Sequence, residues 1–433
     1  MFEALVNAFR APDIRRRILF VLGMLVVFRA LAVVPVPNVD HTAVRQLVEQ
    51  QTFLQLLDLF SGGGLSTFSI VAMGVNPYIN ASIIMQLMTG VVPRLQALSR
   101  EGEYGRNKIN QYTRYLTVPL ALLQGYGYLA ILSANNIVTD FDIASFATIS
   151  QMVTLAAGTV LTMWIGELIT ERGIGNGISF IIFAGIVSGV PRGVVAFFDN
   201  PDIAAGVLFV ILALVVVAVI VYIQEGQRRI PIQYASRVRG RRMYQGGATF
   251  LPLRVNQAGV IPIIFAVSIL LFPTQIASYF ATPAGTAPEN VTIANQVADG
   301  IVRFLDPQGV VYMIGYFLLT MAFTYFYTAF TFKPDETADQ LRKNGGFIPG
   351  IRPGGPTRDY LARVVFRLSL AGALFLSTIA VSPIILSAFF RGGVVGGFAL
   401  GGTALLIVVS VVVETMKQIE AQLMMRNYEG FIR

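Results

Sequence analysis

Long apolar runs separated by polar stretches recur ten times along the 433-residue chain. Each approaches or exceeds the roughly 20 residues a helix needs to cross a bilayer. The pattern predicts spanning helices over 18–34, 70–92, 116–132, 152–169, 178–198, 203–223, 260–280, 310–332, 364–390 and 398–413. Alternation of the strand type follows the sixth run, where Ile230, Ile232 and Tyr234 predict a β-ribbon with Gly240 near its tip. Two runs are interrupted. The second, IVAMGVNPYINASIIMQLMTGVV, is broken by Gly74 and Pro77; the seventh opens NQAGVIPIIF, with Gly259 and Pro262 near its start. These are corresponding positions in two five-span halves, 1–200 and 201–433. An odd number of spans turns the second half upside down relative to the first. Inverted repeats with Gly/Pro-broken helices at matching positions point to a pathway between the halves. The expected fold class is all-α integral membrane, with ten transmembrane helices in two inverted five-helix halves around a central pore.

Composition agrees, with 55% hydrophobic and only 13% charged residues. Charge then orients the chain. Of 32 Lys and Arg residues, 26 fall in the N-terminal arm, the C-terminal tail and alternate loops, whereas Arg45, Arg192, Arg303 and Arg391 lie on the other side. The positive-inside rule places both termini in the cytoplasm, and the net charge of +8 is first a topology signal. Arg15, Arg16 and Arg17 precede the first run, but no small-residue cleavage site follows it, so it reads as a helix that stays. Arg29, inside that run, reads as an anchor that snorkels outward.

The candidate chemistry is sparse. With no cysteine and one histidine, His41 in an outside loop, a zinc site or a Ser/His or Cys/His pair is excluded. Glu167 and Glu414 lie near the ends of spans, where they read as interfacial charges or helix-end partners. Ion-coupled transporters display ionisable groups at mid-membrane, and intramembrane enzymes need a catalytic constellation; the runs offer neither. Gly173, Gly175 and Gly177 in ERGIGNGISF lack the strand–helix setting of a nucleotide loop and read as a tight turn. Gly392, Gly393, Gly396, Gly397, Gly401 and Gly402 read as packing or turn residues.

Two inside loops exceed what topology requires. The loop at about 225–256 holds Arg228, Arg229, Arg237, Arg239, Arg241, Arg242 and Arg254 against one acidic residue, Glu225. The loop at about 333–363 carries a short helical piece, then a Gly/Pro-rich tip around Arg352. They either fix orientation alone or form a docking platform for an acidic partner or RNA phosphates, to which Arg is suited. On the outer side, FSGGGLSTFS precedes the broken second run and is too short to span and too apolar for a solvated loop. It reads either as a re-entrant mini-helix hinged at glycine, which must be buried in protein, or as a helix lying on the lipid surface. A ring of branched aliphatics can seal a pore by dewetting, and composition alone does not select its members.

FSGGGLS, NPYINASIIMQL, EGEYGRNKINQYTRY, GELITERGIGNGIS, RRIPIQYA…GRR…LPLRVNQAGVIP, FKPDETADQLRKNGGFIPGIRPG and GGTALLIVV together resemble bacterial SecY, over nearly the whole chain. The resemblance implies a passive, gated polypeptide channel of the bacterial inner membrane. Its pore ring falls on Val75, Ile79, Ile178, Ile182, Ile264 and Ile407, with Val75 standing where the family usually has isoleucine. Its plug covers about 61–73: Ser61, Gly62, Gly63, Gly64, Leu65, Ser66, Thr67, Phe68 and the residues up to Met73. Its lateral gate lies between the second and seventh spans and their neighbours. There Gln86 and Asn256 are either polar gate residues or hydrogen-bond partners of a neighbouring helix. Arg241, Arg242 and Arg352 dock the SecA ATPase or the ribosome; SecE and SecG are the membrane partners; preprotein signal sequences and lipid meet at the gate. No cofactor or catalysis is implied. The alternative is a secondary transporter with inverted repeats.

Overall fold

The computed structural model describes residues 9–432 except 136, 139–140, 143–144, 200–202, 235–236, 240–241, 245–247, 281–291, 308 and 390–400. In chain order the helices begin with α1 (Pro12–Leu31), α2 (His41–Gln50), α3 (Thr52–Ser61), α4 (Asn76–Val91) and α5 (Pro93–Arg100). They continue with α6 (Glu103–Ala134), α7 (Phe146–Arg172), α8 (Gly177–Asp199) and α9 (Ile203–Glu225). Strands β1 (Gln227–Tyr234), β2 (Arg237–Arg239), β3 (Arg242–Tyr244) and β4 (Ala248–Arg254) follow. Then come α10 (Ile261–Tyr279), α11 (Ile293–Phe304), α12 (Val310–Thr331), α13 (Pro334–Lys343), β5 (Gly346–Phe347), α14 (Gly355–Phe389) and α15 (Gly401–Ile432).

Ten of these cover the expected runs: α1, α4, α6, α7, α8, α9, α10, α12, α14 and α15. Among the described residues, five stretches are long and apolar enough to cross a membrane: Glu103–Ala134, Phe146–Arg172, Ile261–Tyr279, Val310–Lys343 and Gly355–Ser382. The protein is an all-α integral membrane protein. The main correction to the run boundaries is in the second span. Its helix starts only at Asn76, with Pro77 in its first turn, where the missing amide costs nothing. Residues 70–75 are turns instead of helix.

Packing gives the helices unlike roles. α10 is buried nearly all round, from Pro262 through Leu271 and on to Thr274, Gln275 and Ala277, as a helix at the centre of a bundle must be. Phe265 meets Phe323 edge-on at 6.0 Å and Tyr327 at 6.5 Å, which locks α10 to α12. α9 instead exposes Val207, Val210, Ile211, Leu214 and Val215. The first five spans meet the last five along two seams, α10 on α4 and α6, and α8 on α15.

The glycines between spans four and five make the expected turn: Asn176 Oδ1 accepts from the amides of Ile178 and Ser179, capping α8. Glu167 pairs with Arg114 at 2.6 Å, tying α7 to α6 as a helix-end partner. Gly392, Gly393, Gly396 and Gly397 lie outside the described residues.

The two basic loops fold together. β1 pairs antiparallel with β4 and, on its other edge, with β5 of the second loop, giving the order β4-β1-β5. β2 and β3 pair antiparallel with Arg239 opposite Arg242, and Gly240, expected near the tip, lies outside the described residues. Ile230, Ile232 and Leu253 turn inward onto Leu341, Ile348, Leu361, Val364 and Val365. Each such side chain contributes about 1.5–3 kcal/mol by burial. Arg228 and Arg229, at the start of the strand before Ile230, are both exposed.

Candidate functional site

The segment after α3 is shaped by its glycines and hydroxyls. Gly62 and Gly63 have φ of +74° and +81°, and Phe68 has φ of +41°, which interrupts any helix. Side chains complete the turns. Ser61 Oγ donates to the Asp58 carbonyl at 3.0 Å and accepts from the Leu65 amide at 3.1 Å. Ser66 Oγ donates to the Gly63 carbonyl, and Ser69 Oγ to the Gly64 carbonyl. The Asp58 carboxylate accepts from the Ser66 amide at 2.8 Å. Such local bonds compete with a helical ladder, so the expected mini-helix is replaced by a chain of turns over 62–75. The alternative of a helix on the lipid surface also fails, because Leu65, Phe68, Val71, Ala72, Met73 and Val75 are buried. Non-helical backbone is tolerated in a membrane protein under that condition.

This loop is seated in the centre of the protein. The Ile70 amide donates to the Val34 carbonyl at 2.9 Å and the Val36 amide to the Phe68 carbonyl at 3.0 Å, around a bridge between Pro35 and Ser69. A methyl group on Gly158 of α7 would lie 1.7 Å from the Ile70 carbonyl oxygen, so only glycine lets α7 pass there. Val75, Ile79, Ile182, Ile264 and Ile407 are buried in the same apolar cluster as Leu65 and Phe68, and Ile178 packs against it half-buried. Val75 directly precedes α4, Ile79 comes from the first turns of α4, Ile178 and Ile182 from α8, Ile264 from α10 and Ile407 from α15.

The expected gate residues are not brought together. Gln86 lines a cleft of about 480 Å³ with Thr89, Arg106, Tyr327, Phe330 and Lys333; its Nε2 donates to Ser82 of its own helix at 3.3 Å. Asn256 is buried just before α10, and its Nδ2 donates to the Gly259 carbonyl at 3.0 Å. Each keeps a buried oxygen with no partner. The pattern-based reading missed a polar patch on the α6–α10 seam. Gln275 faces the hydroxyls of Tyr128 and Tyr279, and Asn76 also approaches Tyr128. Neither polar atom of Gln124 has a hydrogen-bond partner, nor does Gln275 Nε2. Glutamines inside apolar runs were the available signal.

Of the arginines expected to dock a partner, Arg241 lies outside the described residues, and Arg242 stands on β3 opposite Arg239. Arg352 is exposed; its carbonyl accepts from Thr357 Oγ1 at 2.9 Å, which pins the tip to the start of α14.

A family model described as SecY matches residues 69–416. The chain is 44% identical, over the full length of both proteins, to the protein translocase subunit SecY of Streptomyces scabiei, and equally to that of Mycobacterium bovis. A solved structure described as a protein-conducting channel shares the fold with a TM-score of 0.62 at 15% identity, covering 94% of this chain and 91% of that one. Sec61 from a canine ribosome–channel complex aligns with a TM-score of 0.59 at 14% identity over the same shares. A family match across most of the sequence, with relatives matched end to end, means that the chain belongs to the SecY family.

Proposed function

We propose that the chain forms the gated conduit of a protein translocase, passing unfolded preproteins across the membrane and releasing transmembrane helices sideways into lipid. The observation that carries this reading is the buried, non-helical segment 62–75 seated in one apolar cluster with aliphatic residues from four separate helices. Val75, Ile79, Ile178, Ile182, Ile264 and Ile407 act as the collar. An apolar collar excludes water and ions by dewetting and offers a passing chain no hydrogen bond that would trap it. Segment 61–73 is the plug. The α10 seam with α4 and its neighbours is the lateral gate, with Gln86 and Asn256 as its polar residues.

The excess of Lys and Arg in alternate loops supports cytoplasmic termini and an inner-membrane location. The two basic loops then face the cytoplasm, and Arg241, Arg242 and Arg352 in them receive SecA or the ribosome. SecE and SecG pack against the membrane-facing helices. Catalysis belongs to the motor. Family membership favours this reading over a secondary transporter.

Purified protein in liposomes, tested with a panel of small solutes and with a signal-bearing preprotein plus motor, decides the matter. Transport that depends on the preprotein signal is expected. Solute transport indifferent to preprotein would overturn the proposal.

A further inference from the structure

Arg29 sits near the end of α1 in the otherwise apolar stretch FVLGMLVVFRALAVV. It does not merely reach outward as an anchor. Its guanidinium Nη1 donates to the carbonyl of Gly62, the first residue of the buried turns. Gly62 directly follows the last turn of α3, where helix carbonyls are left unpaired and a cation is favoured. A side chain there would meet the Gly185 backbone at 3.0 Å and the Phe28 ring at 3.4 Å, so Gly62 is held between α8 and α1. Three further ties run along the same stretch of chain. Thr67 Oγ1 donates to the Ala32 carbonyl at 3.0 Å, and the paired amides of Ile70 and Val36 follow. The loop is thus strapped to residues 29–36, and among the described residues no hydrogen bond ties it to α10.

We infer that Arg29 is a positioning residue that straps the plug to the first span, so that the channel opens only when this charge-assisted bond and the bridge behind it release. The inference rests on the plug reading above. A hydrogen bond to a charged group is stronger than one between neutral groups. Its loss therefore shifts the seated-to-displaced balance by about tenfold or more.

The test uses the full chain in its assembled membrane complex, with Arg29→Gln, Arg29→Lys and a deletion of 62–69. Arg29→Gln is expected to raise resting ion conductance about tenfold and to admit preproteins with defective signals. Arg29→Lys, which keeps the charge and loses the fork, should recover most of the seal, a rescue that a mere packing role would not give. A deletion that leaks while Arg29→Gln conducts and discriminates as the parent does would overturn the strap alone. A deletion that does not leak would overturn the plug reading beneath it. If Arg29→Gln fails to assemble, Thr67→Val removes the neighbouring tie with little change of shape. It should leak in the same direction, and unchanged conductance in that variant would overturn the inference.

Discussion

Val75, Ile79, Ile182 and Ile407 are buried and apolar, as are many side chains of an ordinary core. What distinguishes them is their origin on separate helices around a loop that is itself not helical. Replacing Ile79, Ile182 and Ile407 together with serine should raise resting ion conductance several-fold in planar bilayers and relax signal discrimination. Ile211 is 55% exposed on α9, and Ile211→Ser should do neither. Equal, parental conductance in both variants would remove these residues from the seal. Spacing in the sequence did not choose them, because isoleucine on a spanning helix ordinarily faces lipid or packs. The motif resemblance chose them, and their shared cluster is consistent with that choice. Arg29 was visible as a charge in an apolar run, yet its partner lies 33 residues away. No local pattern carries that pairing.

At the scale of elements, hydropathy made the ten runs legible, and alternation made the β1–β4 ribbon legible. The junction of the two basic loops was not legible, since β5 contributes only two residues and pairs across more than a hundred positions. That junction joins the loop that carries Arg228 and Arg229 to the loop that carries Arg352. Arg352→Glu should abolish preprotein transport while the channel still assembles, since charge reversal adds repulsion to lost attraction. Retained motor and ribosome binding would reduce the loops to orientation signals. The α6–α10 seam carries a prediction of opposite sign. Its buried glutamines have polar atoms left without a hydrogen bond, and each unmade bond costs about 1–3 kcal/mol. Gln275→Leu should therefore hold the gate shut more firmly, so that transport of preproteins with weak signals falls more than that of those with strong ones. Faster transport of weak-signal preproteins in this variant would mean that the patch holds the closed seam together.

At the scale of the whole molecule, the first five spans meet the last five along α10 with α4 and α6 and along α8 with α15, and the apolar cluster draws residues from both sets. The proposed route runs past the six aliphatics and the seat of segment 62–75. The chain has no cysteine, so single cysteines report position cleanly. The most direct measurement arrests a preprotein midway, with a cysteine in its translocating stretch, and asks which single-cysteine variant of the chain it joins by disulfide. Cysteines at Ile79, Ile182, Ile264 and Ile407 should all capture the arrested chain, and one at Ile211 should not. Capture at Ile211 with none at the four central positions would contradict the account.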